Sequence, residues 1–195
     1  MTEIFTQYGL VVLMGAVLLF GFGIAFIQQN KRNEIFANQA DKRGGEFVKG
    51  TLFRRSELRL PYKGNVLVVY SLPGGKNRAP RTIATLHLEQ PALPTMDVLR
   101  NDLAQKIMGA FGRERVLLND EEFDRQCVVR SEDPYLPQRI LSADLRGRFL
   151  DRSLHLLELR VSAQNVQVKI LTIPSDEASF AYFIDTALAI LQKLL

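Results

Sequence analysis

The feature that most constrains this chain is an uncharged, strongly apolar run near its N-terminus. The 19 residues from Gly9 to Ile27 carry no charged side chain and are rich in Leu, Val, Ile and Phe. At about 1.5 Å per residue, a helix of that length crosses a hydrocarbon core. Because unpaired backbone amides and carbonyls are costly in lipid, the run predicts one membrane-spanning helix with Tyr8 at its interface.

The bases that flank this run predict its orientation. Lys31, Arg32, Lys42 and Arg43 follow it, whereas no base precedes it. Positive charge remains on the cytoplasmic side, so we expect a single-pass bacterial inner-membrane protein with its N-terminus outside and its soluble domain in the cytoplasm.

Two alternatives to a membrane span remain open. A secretory signal peptide normally has a basic n-region, but Glu3 is the only charge before the run. A buried core helix normally keeps a polar stripe, which this run lacks. The glycines spaced along it also allow a helix–helix contact, so the oligomeric state stays open; they are Gly9, Gly15, Gly21 and Gly23.

Composition divides the rest of the chain. We predict an anchor at residues 1–30, a juxtamembrane helix and linker at 31–45, and a soluble domain at 46–195, with Gly44 and Gly45 ending the helix. Residues 31–115 hold 16 basic and 8 acidic side chains, and residues 116–195 hold 9 and 12. The half nearer the anchor is therefore basic. One cysteine, Cys127, excludes an internal disulfide framework.

Hydrophobic periodicity predicts an α+β domain, a mostly antiparallel sheet with helices packed on one face. Strands are expected at 47–53, 57–60, 65–72, 81–88, 115–118 and 123–130, with 65–72 a central strand buried on both faces. Residues 157–161 and 166–170 predict a hairpin that bends at Gln164 and Asn165.

Three helices complete this prediction. The first follows a Thr95 cap, with apolar positions Met96, Leu99, Leu103 and Ile107. The second begins at Asp133 and Pro134, breaks near Ser142 and ends near Arg152. The third is capped by Ser175 and carries a wide apolar face.

No cofactor or metal site is expected. The acidic cluster Asp120, Glu121, Glu122 and Asp124 lacks the spacing and the glycine of a calcium loop, so we interpret it as a solvated turn. Gly74, Gly75 and Lys76 lack the rest of a phosphate-binding loop and predict a basic surface turn.

Three further side chains have chemistry worth testing. His87 and His155 are candidate general bases, but the sequence places no Ser or Cys nucleophile beside either, which favours a structural or surface role. Cys127 lies between apolar neighbours and is expected to be a small buried hydrophobe.

A basic stretch is the most suggestive functional feature. We expect it to contact anionic lipid or a partner protein, whereas nucleic-acid binding is not expected because aromatic platforms are absent among the bases. Its candidate contact residues are Lys42, Arg43, Lys49, Arg54, Arg55, Arg59, Lys63, Lys76, Arg78 and Arg81.

The segment from Glu122 to Asp133, followed by Leu141, Ser142 and Leu145, resembles a signature of bacterial membrane-anchored proteins in a domain-of-unknown-function family. The resemblance covers about 25 residues and implies a membrane-tethered α+β module without an established activity or site. Cys127 departs from that signature, in which an aromatic residue is expected.

Three functions follow as hypotheses. The first is a non-catalytic interaction module at the cytoplasmic face of a membrane. The second is a membrane-anchored hydrolase or transferase that uses His87 or His155. The third is an accessory subunit of a membrane complex.

Overall fold

The computed structural model describes residues 2–51, 55–76, 78–89, 93–101 and 115–195. Among residues 2–26, it describes the side chains of residues 13, 14, 17, 20 and 23 alone. Helix α1, Thr2–Arg43, runs unbroken for 42 residues. It ends because Gly44 takes a left-handed φ of +63° and the Gly45 N–H donates to the Ala40 carbonyl at 2.9 Å, the backbone pattern that closes many helices at glycine.

The predicted membrane anchor is contradicted by the structure. Among the described residues, none of the helices combines the length and the apolar character needed to cross a membrane. Residues 9–27 belong to a longer helix, whose later part was predicted as a polar juxtamembrane helix and linker. That later part instead packs on the sheet through Ile35, Phe36 and Ala40. The predicted single-pass inner-membrane localisation depended on that span and is contradicted with it.

Within the described residues, nine strands form one sheet in the order β1-β2-β3-β4-β9-β8-β5-β7-β6. Every neighbouring pair is antiparallel, as the sequence predicted for most of the sheet. The strands are β1 Glu46–Val48, β2 Glu57–Tyr62, β3 Asn65–Leu72, β4 Arg81–His87, β5 Met96–Arg100, β6 Arg115–Val116, β7 Cys127–Ser131, β8 Glu158–Ser162 and β9 Asn165–Ile170.

Register explains why one face of this sheet is the core. An unbroken apolar row crosses all nine strands at the helix-covered face, one residue from each. The next row, on the opposite face, is mostly polar or charged, so alternation with period two separates the two faces. In sheet order, the apolar row is Phe47, Leu58, Val69, Ala84, Val168, Leu159, Val98, Val129 and Val116.

Four further helices are described after the sheet begins: α2 Glu121–Gln126, α3 Leu136–Ile140, α4 Ala143–Leu150 and α5 Glu177–Leu194. Helix α5 buries Phe180, Phe183 and Ile184 in the same core as the sheet residues. Phe36 of α1 stacks on Phe180, with ring centroids 4.7 Å apart. The last turns of α1 are therefore part of the folded core.

Several predicted elements are confirmed. β8 and β9 form the hairpin, β2, β3 and β4 occupy their predicted segments, and α3 and α4 divide the predicted helix near Ser142. The last helix is also confirmed, although its cap is Asp176, whose carboxylate accepts from the Ser179 N–H at 2.8 Å.

Three predicted elements are wrong. Met96–Arg100 is strand β5, because Met96 and Val98 point into the core between β7 and β8; Leu103 and Ile107 lie outside the described residues. The predicted strand from Phe123 begins as helix α2, since Asp120 caps that helix through the Phe123 N–H. Strand β3 is buried mainly on one face, with Val66 49% exposed on the other.

Candidate functional site

The sheet has two ends along the direction of its strands, and different side chains lie at each. We call the end at which β2 begins the Ser56 end, and the end at which β2 turns into β3 the Lys63 end. The Ser56 hydroxyl donates to Asn33 of α1 at 2.9 Å, whereas Gly45, just after α1, lies against Arg59 and Leu60. Helix α1 thus follows β2 from the Ser56 end, and its N-terminal part extends beyond that end.

The predicted basic contact residues do not form one surface. Five lie at or beside the Ser56 end because β1 ends there, β2 begins there, and the β3–β4 connection turns there; they are Lys49, Arg55, Lys76, Arg78 and Arg81. Lys63 lies at the opposite end, in the tight turn with Gly64, and Arg54 lies outside the described residues. The structure thus brings about half of the predicted set together.

The remaining members of that set are engaged with acids. Lys42 pairs with Glu177 at 2.5 Å, and Arg43 pairs with Asp185 at 2.7 Å, so both fasten α1 to α5. The hydrogen bond from Lys42 lowers the pKa of Glu177. Arg59 pairs with Glu57 at 3.2 Å on the polar face of the sheet.

Arg55 shares Glu57, at 3.4 Å, and its guanidinium carbon also lies 3.3 Å from the centroid of the Tyr70 ring. A guanidinium over an aromatic face is held by the ring quadrupole while it stays accessible to solvent. Lys49, Lys76 and Arg78 are exposed as well. These three bases with Arg55 form what we call the basic rim of the Ser56 end.

The two histidines lie at opposite ends of the sheet. His87 is exposed at the last position of β4, at the Lys63 end. His155 lines a cleft of about 290 Å³ near the Ser56 end, together with Arg100, Asp151 and Arg152. Within the described residues, His155 makes hydrogen bonds through its backbone alone, so the structure does not assemble a base, a carboxylate and a nucleophile around it.

Asp151 in this cleft, and Cys127, which pairs with Arg100 across β5 and β7, have shifted pKa values with clear causes. The Ser153 backbone N–H donates to Asp151 at 2.8 Å and lowers the pKa of that carboxyl group. Cys127 is 1% exposed, and burial raises the pKa of its thiol to about 11 even though the nearby Arg100 opposes the shift. The thiol is therefore a buried, protonated side chain, as expected from its apolar neighbours.

The acidic cluster is structural. Asp124 accepts hydrogen bonds from the Leu118 and Asp120 backbone N–H groups at 3.1 to 3.2 Å, and Asp120 pairs with Arg146 at 2.8 Å. In the described part of the chain, no three His, Cys, Asp or Glu side chains are grouped to hold a metal ion. The Gly74 and Gly75 segment is an exposed turn closed by a bridge between Gly75 and Arg78.

One feature was absent from the sequence-based site. Helix α1 exposes large apolar side chains, which are Leu13 at 63%, Met14 at 60%, Val17 at 64%, Phe20 at 72% and Ile27 at 67%. Four of them are spaced by four, three and seven residues and lie on one side of the helix, which we call the α1 seam: Leu13, Val17, Phe20 and Ile27. Met14 lies about 100° around the helix from Leu13. The sequence did not single out this side, because residues 9–27 are apolar all around the helix.

Comparisons with known proteins reach the fold and no further. No protein-family profile matches the chain, and no curated protein matches it. Among solved structures, the chain is similar to the crystal structure of the mycobacterial trehalose monomycolate transport factor A, with a TM-score of 0.51 and 10% sequence identity. The match covers 84% of this chain and 96% of that one, so the two share an overall fold.

Proposed function

We propose that this chain is a non-catalytic accessory protein of a membrane transport complex, and that it binds a partner protein through the α1 seam. The observation that carries the proposal is the exposure of Leu13, Val17, Phe20 and Ile27 along one side of a helix whose other end is fixed in the core. Large apolar side chains grouped at a surface mark interaction sites. The fold shared with a transport factor supports the choice of complex.

The spacing of the seam favours a helix as the partner element. Leu13, Val17, Phe20 and Ile27 follow each other at intervals of four, three and seven residues. These intervals fit the seven-residue repeat by which two helices interlock their side chains. A partner helix with a matching apolar stripe would cover the seam, whereas a flat polar surface would leave its apolar side chains exposed to water.

Two substitutions on α1 test this proposal. Phe20→Glu places a charge in the seam, and Gln29→Glu adds the same charge on the opposite side of the helix, as a matched control. Losing the buried ring would weaken binding by roughly 3 kcal/mol, about a hundredfold. We expect the intact chain and Gln29→Glu to co-purify a transport protein from native membranes in mild detergent, and Phe20→Glu to lose it.

Two results would reject this function. One is retention of the same partner by Phe20→Glu at the level of the control. The other is recovery of a second copy of this chain as the only bound protein, which would make the seam a homodimer contact.

A second function rests on the basic rim. Lys49, Arg55, Lys76 and Arg78 lie at the end of the sheet beyond which α1 extends, and we propose that they contact anionic lipid head groups beside the complex. Each base near an anionic surface contributes about 1 kcal/mol, a contribution that salt weakens.

Vesicle sedimentation distinguishes lipid binding through the basic rim from lipid binding that depends only on the net charge of the chain. Lys76→Glu should weaken binding of the full chain to phosphatidylserine vesicles about tenfold at low salt. Lys63→Glu, at the opposite end, changes the net charge by the same amount and should have little effect. Equal losses in the two variants would show that binding follows overall charge and not this surface.

A further inference from the structure

The side of α1 that carries the seam continues beyond Ile27 as a pair of charged residues. Lys31 and Glu34 follow Ile27 after four and seven positions, the spacing that keeps side chains on one side of a helix. Both are exposed. Phe36, which packs in the core, lies about 180° around the helix from Ile27. The seam and this charged pair therefore form one line that faces away from the sheet.

The two charges of this pair have no partner in the described part of the chain. Lys31 and Glu34 are three positions apart, close enough for an ion pair along a helix, yet neither side chain forms an ion pair or a hydrogen bond with a described residue. The bases at the end of α1 differ, because Lys42 and Arg43 pair with acids of α5. One positive and one negative charge therefore remain unpaired in line with the seam.

We infer that the partner helix continues its apolar stripe with an acid that faces Lys31, followed by a base that faces Glu34. The inference rests on the proposed role of the seam in binding a helix. Charged side chains that accompany an apolar repeat set the register and orientation of paired helices, because one alignment brings opposite charges together and the others do not. An exposed ion pair contributes little affinity, so this pair selects the partner helix and the seam holds it.

The same charges disfavour a second copy of this chain as the occupant. If two α1 helices paired in parallel and in register, Lys31 would face Lys31 and Glu34 would face Glu34, and like charges would meet. If they paired antiparallel, both charges would face residues 2–12, a segment without a base to match Glu34. A helix with an acid and a base in the stated order matches both charges at once.

Two synthetic helical peptides of identical composition test the order of the charges. Each has leucines at the spacing of the seam and, at both ends, one charge in line with the leucines and the opposite charge one turn further out. Either orientation of the peptide thus presents a charged end to Lys31. The first peptide has the acid inside and the base outside, and the second has the reverse order. Fluorescence anisotropy with the full chain should show about tenfold tighter binding of the first peptide at low salt, a preference that salt reduces.

A charge-swapped variant provides the matched control. Lys31→Glu combined with Glu34→Lys keeps the net charge of the chain and should reverse the preference between the peptides. Phe20→Glu should bind neither peptide, because it places a charge within the seam.

The outcomes separate this inference from the proposed function. Equal affinity for the two peptides, or the same preference in the charge-swapped variant, would overturn the inference, and loss of both peptides in Phe20→Glu would still support the seam as a helix-binding surface. Undiminished binding by Phe20→Glu would reject the seam and the inference together. A chain that dimerises and binds neither peptide would identify a second copy as the occupant, and that result would also overturn both.

Discussion

Phe36→Ala tests whether the last turns of α1 belong to the folded domain. Phe36 is 5% exposed, stacks on Phe180 with a centroid distance of 4.7 Å and an interplanar angle of 12°, and meets Phe47 edge-on at 6.3 Å. Truncating a buried phenylalanine to alanine lowers the free energy of unfolding by about 3 to 5 kcal/mol, because the folded state loses the hydrophobic burial of the ring and keeps a cavity in its place.

For a chain of this length, each kcal/mol of stability corresponds to roughly 2 to 4 °C in melting temperature. We therefore expect Phe36→Ala to lower Tm by about 6 to 20 °C, measured by far-UV circular dichroism because the chain has no tryptophan. Phe20→Ala is the control, since Phe20 is 72% exposed and should change stability by less than about 0.5 kcal/mol.

A loss below about 1 kcal/mol in Phe36→Ala would refute this reasoning. It would mean that α1 folds independently of α5 and the sheet, as the predicted juxtamembrane linker required. Phe180→Ala and the double variant complete a cycle in which the two rings should show a coupling of about 1 kcal/mol.

Three further predictions concern single positions. His155→Gly should raise the free energy of unfolding by about 0.5 to 1 kcal/mol in denaturant titration, because glycine accepts a left-handed φ without the cost that His155 bears; a loss of stability would show that the side chain contributes more than the strain removes. Gly45→Ala should cost about 1 to 3 kcal/mol in the same titration, since a Cβ there would lie 2.5 Å from the Arg59 carbonyl oxygen and 2.6 Å from Leu60; an unchanged midpoint would contradict that close approach. Burial raises the pKa of Cys127 to about 11, so its thiol should react with a thiol reagent at pH 8 about a hundredfold more slowly than in the unfolded chain. Because the thiol ionises more readily in the unfolded chain, the free energy of unfolding should fall as pH rises above about 8.5. Rapid labelling under native conditions would instead show an accessible thiolate.

The sequence predicted the elements whose own pattern decides their structure. The β8–β9 hairpin alternates with period two about a short polar bend, and α5 has a strong apolar face with acids in its first turn and Lys193 in its last. Neither element needs information from a distant part of the chain. For that reason, both were found close to their observed limits.

Elements decided by tertiary contacts were missed. Met96, Val98 and Leu99 fit a helix and a strand equally well on spacing alone, and the pairing of β5 with β7 and β8 decided for the strand. The packing of the last turns of α1 was missed for a related reason, because Phe36 stacks on Phe180, which lies 144 positions later in the chain.

The candidate sites followed the same division. A count of bases identified a basic stretch, but only the strand register separates the rim at the Ser56 end from Lys63 at the other end. The cleft could not be predicted, because two of its lining residues, Arg100 and Arg152, are 52 positions apart in the sequence. His155 was a candidate, and its neighbours were invisible in the sequence.

Site-specific photo-crosslinking of the intact chain in its native membrane tests the central claim most directly. A photoreactive residue would replace Leu13, Val17, Phe20 or Ile27 in the seam, or Gln29 on the opposite side of α1. The account predicts that all four seam positions join to the same helix of one transport protein and that position 29 does not. Cross-links to unrelated proteins, or equal yields from the seam and from position 29, would contradict it.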